Sequence, residues 1–340
     1  MQRLMVRLGR WSSRAICSVV VSVFWAASAS QAVPIDLTDA TPTVTGETTL
    51  HIEGIATLGA SYWADFAWKE KTNVFQVSAY GEGETPGPPE GFVLIESGTF
   101  TMGSPIDELG RWPAEEEHEV TLTRAFFLAE TEVTQAQWLE VMGSNPSYFQ
   151  PPNYSRCDDC PVEMVYWYDA VDYCNALSAV EGLEPAYEVD GTDVSWDQAA
   201  NGYRLPTETE WEYAYRAGSK TAFYNGGITD VECADPNLDQ IGWYCGNAAG
   251  RPHEVTSLLP NAWGLYDMSG NVYEWCWDWR AAYPAGPVTD PVGPDSGEYR
   301  IRRGGASSSP ARTCRSAYRA YRHPDKRNRD VGVRPARWVP

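Results

Sequence analysis

Glycine and proline are frequent along this chain, which indicates many turns and loops. Of 340 residues, 29 are Gly and 24 are Pro, while Trp numbers 15 and Tyr 19. Gly and Pro mark turns and loops, and an apolar fraction of 43% is enough to build a sizeable core. We therefore expect a loop-rich, aromatic-packed globular protein, long enough for one large domain or two smaller ones.

The net charge of −20 limits the classes of partner. Nucleic-acid binding requires a basic footprint, so this acidic chain is not expected to bind nucleic acid. Only four histidines occur, at positions 51, 118, 253 and 323, far apart in sequence. A three-His metal centre is therefore not expected, whereas a Ser-His-Asp triad remains open.

The charge is also segregated along the chain. Residues 300–340 contain eleven Arg and one Lys against two Asp, whereas the rest is strongly acidic. One interpretation is that this Arg-rich end folds back on the acidic body through internal ion pairs. The other is a basic groove for an anionic or peptide ligand. Arg binds carboxylates through paired hydrogen bonds in either case.

The N-terminus has the pattern of a secretory signal peptide. Four Arg precede an apolar stretch, 15–27, and small residues follow up to Ala32. The stretch is too short to span a bilayer, and the end is an A-x-A-like cleavage site. We predict cleavage near Ala32, so residues 1–32 would be absent from a secreted or periplasmic protein. The alternative is a membrane anchor; no other stretch is long enough to span a membrane.

Export would make disulfide bonds the expected state of most cysteines. Seven remain after residue 32, at positions 157, 160, 174, 233, 245, 276 and 314, so at least one is unpaired within the chain. Cys157-x-x-Cys160 is interpreted as a structural disulfide, with a metal or redox motif as the alternative. Cys233 and Cys245 bracket a short loop whose Pro, Asp and Asn suit a turn, which predicts that they pair.

Three segments are predicted after the signal peptide. Residues 33–80 form a small β segment, with a hairpin from alternating residues 62–68 and 75–79 around a turn at 69–73. Residues 81–91 are a Gly-, Pro- and Glu-rich linker, and residues 92–337 form the main domain. Within it, capping boxes at Thr134 and Thr207 and helical spacing over 168–177 predict three short helices; Gly218 would end the third.

Several segments of the main domain resemble the formylglycine-generating enzyme family, also called sulfatase-modifying factors. They are Phe92–Ser104, Thr131–Gln135, Cys160–Ala170, Gly202–Tyr213, Asn261–Trp275, Arg303–Gly305 and Val331–Arg334. Their order is kept over residues 92–337. The resemblance implies an α+β, C-type lectin-like fold with little regular secondary structure, which agrees with the loop-rich composition.

In the enzymes of that family, two cysteines bind copper(I), activate oxygen and convert a substrate cysteine to formylglycine. An ungapped comparison from Arg303 places Ser309 at the first cysteine position and Cys314 at the second. Ala306 replaces the active-site serine, and Tyr273 replaces a tryptophan. A gapped comparison matches Cys314 to a structural cysteine instead, and both catalytic positions are then lost. One thiolate cannot supply a two-sulfur copper site.

The resemblance also implies calcium. The family's ligand offsets fall on Asp267, Gly270, Val272 and Glu274, a carboxylate and carbonyl set that suits this hard cation. The alternative is that Glu274 pairs with an Arg of the C-terminal segment. A second family site would begin at Asn247 and Ala248, although the loop with its later ligand is shortened here.

Two functions follow from these residues. The first is a secreted, non-catalytic, calcium-stabilised binding module for a peptide, protein or anionic ligand. The alternative is an oxidase that forms formylglycine on a sulfatase-type cysteine and requires copper. An iron-dependent sulfoxide synthase would need a His cluster. Because the family fold brings their segments together, we predict a Cys276–Cys314 disulfide; a free Cys314 with a lowered pKa is the alternative.

Overall fold

The chain divides into two units between Gly87 and Pro88. The computed structural model describes residues 87–339 in full, and between residues 23 and 82 it describes only the backbone of six strands. The division lies within the predicted linker 81–91. Apart from the strand Val23–Ala26 and the first residue of the next strand, the predicted signal peptide 1–32 lies outside the described residues.

The first unit contains a strand pair and a four-stranded antiparallel sheet. The pair is β1–β2, and the sheet order is β3-β4-β5-β6. The bounds are β1 Val23–Ala26, β2 Ala32–Ile35, β3 Pro42–Val44, β4 Thr49–Ile55, β5 Ser61–Lys69 and β6 Val74–Glu82. Lys69 pairs with Val74, so the predicted hairpin around residues 69–73 is confirmed. Strand β6 extends two residues into the predicted linker.

The second unit is built from short strands and three α-helices. The strands before the last helix are β7 Phe92–Ile95, β8 Gly98–Met102, β9 His118–Leu122, β10 Phe126–Ala129, β11 Tyr187–Asp190, β12 Asp193–Trp196 and β13 Tyr203–Arg204. After it come β14 Gly242–Trp243, β15 Ser269–Gly270, β16 Tyr273–Trp279, β17 Val288–Thr289, β18 Arg300–Arg303, β19 Ala320–Arg322, β20 Val331–Gly332 and β21 Ala336–Trp338. Two 3₁₀ helices span Leu238–Gln240 and Ala311–Thr313.

Two four-stranded sheets organise this unit. One has the order β13-β21-β10-β7, and the other has the order β19-β18-β16-β20. Strands β17, β9 and β8 form a third sheet, while β11–β12 and β14–β15 are two-stranded. The arrangement is α+β and loop-rich, as the sequence predicts.

The helices are α1 Gln135–Met142, α2 Trp167–Val180 and α3 Glu208–Arg216. Both predicted capping boxes form: the Thr134 hydroxyl accepts the Gln137 N–H at 3.2 Å, and the Thr207 hydroxyl accepts the Glu210 N–H at 3.2 Å. Each satisfies a backbone donor that a helix start leaves unpaired. Helix α3 ends in left-handed Ala217, one residue before the predicted Gly218.

Aromatic side chains fill the core, as their number predicts. Trp167, Trp211 and Trp275 are fully buried. They belong to two hydrophobic clusters, one around α2 and one around α3, and a third cluster surrounds the 3₁₀ helix Leu238–Gln240. These clusters fix the strands that carry the candidate site residues.

Candidate functional site

Cys314, the one cysteine at a predicted catalytic position, is a buried thiol. It follows the 3₁₀ helix Ala311–Thr313, and its side chain is fully shielded from solvent. Burial raises its pKa to about 12, so the thiol is protonated near neutral pH. Because only a thiolate reacts or binds soft metals well, this environment opposes catalysis. The alternative of a lowered pKa beside the C-terminal arginines is not what the structure shows.

Ser309, which the ungapped comparison sets against the first family cysteine, forms a hydroxyl pair with Tyr273. The Ser309 hydroxyl accepts the Ala306 N–H at 3.0 Å and lies 3.4 Å from the Tyr273 hydroxyl. Gly305 covers the thiol on another side, since a Cβ at this residue would lie 2.5 Å from the Cys314 sulfur. The residues predicted to replace the catalytic set are therefore brought together, but as a small hydrogen-bonded cluster around one buried thiol.

The predicted Cys276–Cys314 disulfide is wrong. Both cysteines are free and buried, as is Cys174. Successive residues of β16 point to opposite faces, and Cys276 points into the cluster around α3, whereas Cys314 packs in the third cluster. Cys174 lies in the first cluster. Each free thiol is thus enclosed in a separate part of the core.

Two other pairs of cysteines are bonded. The structure contains the predicted Cys233–Cys245 disulfide, which closes the segment that contains β14. Cys157 and Cys160 are also bonded to each other. This agrees with the structural interpretation of the Cys-x-x-Cys sequence.

The C-terminal arginines fold back on the acidic body, which confirms the first interpretation of the charge segregation. Arg303 pairs with Glu208 and Glu212 of α3, and Arg319 pairs with Glu208 at 2.6 Å. Arg315 bonds Glu115 at 2.8 Å, and this pair is almost fully shielded from solvent. These guanidinium groups already form ion pairs inside the domain, so they do not form an open basic groove.

Three carboxylates and one guanidinium meet at the predicted calcium position. Arg334 bonds the Glu274 carboxylate at 2.8–3.0 Å, and Trp211 donates to it at 2.6 Å. The alternative prediction, that Glu274 pairs with an Arg of the C-terminal segment, is therefore confirmed by its ion pair with Arg334. The Asp267 Oδ2 accepts the Thr256 N–H at 2.8 Å, but its Oδ1 is buried without a hydrogen-bond partner.

Glu132, which the sequence analysis did not single out, is the third carboxylate. It accepts N–H groups of Val272 and Asn271, each at 3.1 Å. Burial, and then the neighbouring charge of Asp267, raises the pKa of Glu132 well above its usual range. Burial raises the pKa of Asp267 to about 6. The only sequence signal for Glu132 was its place in the family segment Thr131–Gln135.

The cluster fits a calcium ion in part. Within residues 87–339, no three His, Cys, Asp or Glu side chains are arranged to hold a metal ion. Asp267 offers an unpartnered oxygen, whereas both oxygens of Glu274 already accept hydrogen bonds. Any cation here would thus depend on Asp267 together with the carbonyl groups of Gly270 and Val272.

The residues of the second predicted calcium site are used in local structure. Asn247 accepts the Tyr244 N–H at 2.9 Å and donates to the Gly242 carbonyl at 3.0 Å. The Ala248 carbonyl lies 3.0 Å from the His253 ring, which stacks on Trp243. The Asn247 side-chain oxygen and the Ala248 carbonyl therefore both have partners in this loop.

The fold defines a domain of the formylglycine-generating enzyme type, in which Cys314 is a free, buried thiol. A family model described as "Sulfatase-modifying factor enzyme 1-like domain" matches residues 79–339. The chain therefore belongs to this family, which confirms the resemblance that the sequence motifs indicated.

Similar proteins carry different names. The chain is 33% identical over 277 residues to "Chaperone protein LppX" of Paenibacillus barcinonensis, covering 72% of this chain and 88% of that protein. It is 29% identical over 303 residues to the formylglycine-generating enzyme of Streptomyces coelicolor, covering 75% and 92%. The solved structure of Treponema denticola variable protein 1 matches with a TM-score of 0.65 and 34% identity, covering 73% and 95%.

Proposed function

We propose that this protein is an exported, non-catalytic binding module of the sulfatase-modifying factor family. One observation carries the proposal: Ser309, which the ungapped comparison sets at the first of the two cysteine positions, uses its hydroxyl to accept the Ala306 N–H. The remaining thiol of Cys314 is buried and protonated. A two-sulfur copper(I) centre does not fit these residues.

The family's range of names supports a function in binding. LppX is named as a chaperone, and it is similar to this chain over most of its own length. The same scaffold thus occurs under names that denote both an enzyme and a chaperone. Because function depends on the site rather than on the fold, the substitutions at Ser309 and Ala306 favour the binding role.

Export and calcium are further parts of the proposal. Two disulfides suit an oxidising compartment, and the N-terminal pattern supplies a route to it. No helix in the described part of the chain has the length and apolar character needed to cross a membrane. The unpartnered Asp267 oxygen supports a calcium ion at this position, where it would offset the excess of buried negative charge.

Copper loading and substrate turnover test the proposal directly. The purified protein should not retain copper(I) in a competition with a chelator, and it should not convert a Cys-x-Pro-x-Arg peptide to formylglycine. The matched comparison is the variant Ser309→Cys, which restores the second sulfur position. Stoichiometric copper(I) binding or peptide conversion by the unaltered chain would overturn the non-catalytic assignment.

A further inference from the structure

A surface pocket of about 340 Å³ lies between the β11–β12 hairpin, the end of β16 and the segment that leads into β18. Its size is at the lower end of the range for small-molecule sites. Four carboxylates, a Trp and an Arg are among its lining residues: Glu188, Asp190, Asp193, Asp295, Trp279 and Arg300. None of these residues belongs to the cluster around Cys314.

The hairpin places its acidic residues together. Asp190 pairs directly with Asp193 across the two strands, and Glu188 pairs with Ser195. Residues opposite each other in an antiparallel pair share a face, so three carboxylates lie on one side. Like charges at such positions destabilise a hairpin. Within residues 87–339, none of these three carboxylates, nor Asp295, forms a salt bridge.

Arg300 lines the pocket and forms no salt bridge with any acidic side chain of residues 87–339. Only 3% of the residue is exposed, and its guanidinium lies 3.7 Å and 3.6 Å from the ring centres of Trp167 and Trp279. One terminal nitrogen donates to the Trp277 carbonyl, while Nε has no hydrogen-bond partner. Burial lowers the Arg300 pKa to about 9.

This isolation is unusual for the domain. On the same strand, Arg303 pairs with two glutamates. Arg319, which lies just before β19, pairs with Glu208. A buried guanidinium without a carboxylate is costly, and a bound anion would relieve that cost. The pocket lining thus combines a buried guanidinium that forms no salt bridge among the described residues with exposed carboxylates that form none there.

We propose that this pocket binds a small zwitterion, namely a basic amino acid with a free α-carboxylate, either alone or at the C-terminus of a peptide. The α-carboxylate would meet Arg300, whose planar group suits a carboxylate. The cationic groups would meet Asp190, Asp193 and Asp295. This inference names a ligand class and goes beyond the absence of catalysis at Cys314.

Calorimetric titration with L-lysine, lysinamide and cadaverine tests each half of the pocket. Lysinamide and cadaverine keep the cationic groups but lack the carboxylate, so both should bind at least about tenfold more weakly than lysine. The double variant Asp190→Asn/Asp193→Asn should weaken lysine binding about tenfold or more, whereas the control Asp107→Asn, an exposed acid elsewhere, should not. No substitution of buried Arg300 is needed.

Comparison of lysine with Gly-Gly-Lys identifies the source, because the tighter ligand shows whether the free amino acid or a peptide terminus is preferred. The proposal is overturned if neither binds at about 10 mM, if lysinamide binds as tightly as lysine, or if the double variant binds lysine unchanged. Binding of a neutral saccharide without lysine binding would also overturn it. None of these outcomes bears on copper loading, so the two proposals fail separately.

Discussion

Arg334 and Glu274 form a buried ion pair through several hydrogen bonds. It links the segment between β20 and β21 to strand β16. The Arg334 Nε and Nη2 lie 2.8–3.0 Å from the Glu274 carboxylate, and further donors of Arg334 reach the carbonyls of Ala129 and Tyr266. Both side chains are essentially shielded from solvent. The pair therefore connects the two four-stranded sheets of this unit and supplies a positive charge beside Glu132 and Asp267.

Loss of this guanidinium should be strongly destabilising. Arg334→Met leaves Glu274 buried without its cation, and removal of one partner of a buried pair costs about 3–5 kcal/mol. Urea unfolding should show an unfolding free energy that is lower by that amount, and therefore a lower midpoint. Arg156→Met provides the control, because Arg156 pairs with Asp158 on the surface, where such pairs contribute about 0–1 kcal/mol. Equal losses in both variants would contradict the prediction.

Stability should fall as the pH rises from about 4 to 7. Burial raises the pKa values of Glu163 and Asp278 to about 7. The folded state therefore holds these protons more tightly than the unfolded chain, and the stability that they provide is lost as pH passes the folded pKa. Each group changes the unfolding free energy by at most about 1.4 kcal/mol per pH unit in this range.

The variant Asp278→Asn isolates one of these contributions. Its amide oxygen can still accept the Glu208 N–H that Asp278 accepts at 2.7 Å, but it does not titrate. Urea unfolding at pH 5, 6, 7 and 8 should give a shallower decline than in the parent protein. A matched set for Glu163→Gln should behave similarly. Parallel pH curves for parent and variants would show that these groups ionise normally in the folded state.

Calcium should raise the melting temperature if it binds at Asp267. A ligand that binds only the folded state adds about 2.7 kcal/mol at one hundred times its dissociation constant. Asp267→Asn should remove the response because it replaces the charged carboxylate with a neutral amide. Asp107→Asn should retain it. An identical melting temperature in calcium and in chelator would remove calcium from the proposed function.

The Cys233–Cys245 disulfide should contribute more stability than Cys157–Cys160. Its sequence separation is 12 residues rather than 3, and the chain-entropy model gives about 3 kcal/mol for the longer loop and about 2 kcal/mol for the shorter. The paired variants Cys233→Ser/Cys245→Ser and Cys157→Ser/Cys160→Ser test this by urea unfolding. A larger loss from the second pair would reject the entropic ranking.

Local sequence signals predicted much of the secondary structure. The capping boxes at Thr134 and Thr207 depend on neighbouring residues alone, so their helices were predictable. The pairing of β5 with β6 and the loop closed by Cys233 and Cys245 are equally local. The ordered motifs then gave the family, which the match over residues 79–339 shows.

Long-range relationships were harder to predict. Glu132 lies about 140 residues from the backbone amide that it accepts, and no periodicity relates the two. The family resemblance predicted that the segments of Cys276 and Cys314 are neighbours. It did not reveal that Cys276 faces the cluster around α3. The choice of face within β16 depends on the packing of Trp211 and Ile301, which only the folded chain defines. Arg300 likewise gave no signal that distinguishes it from the paired arginines.

The three free cysteines of residues 87–339 give the last prediction. It distinguishes buried thiols from the two states that the sequence suggested, a Cys276–Cys314 disulfide and a reactive Cys314. Cys174, Cys276 and Cys314 are buried, and burial raises the pKa of each thiol. Without reduction, iodoacetamide should leave all three unmodified in the folded protein and modify all three in denaturant. Peptide mapping assigns the labels. Labelling of Cys314 in the folded state would indicate a reactive thiol, and absence of Cys276 and Cys314 labelling in denaturant would indicate the disulfide that the structure excludes.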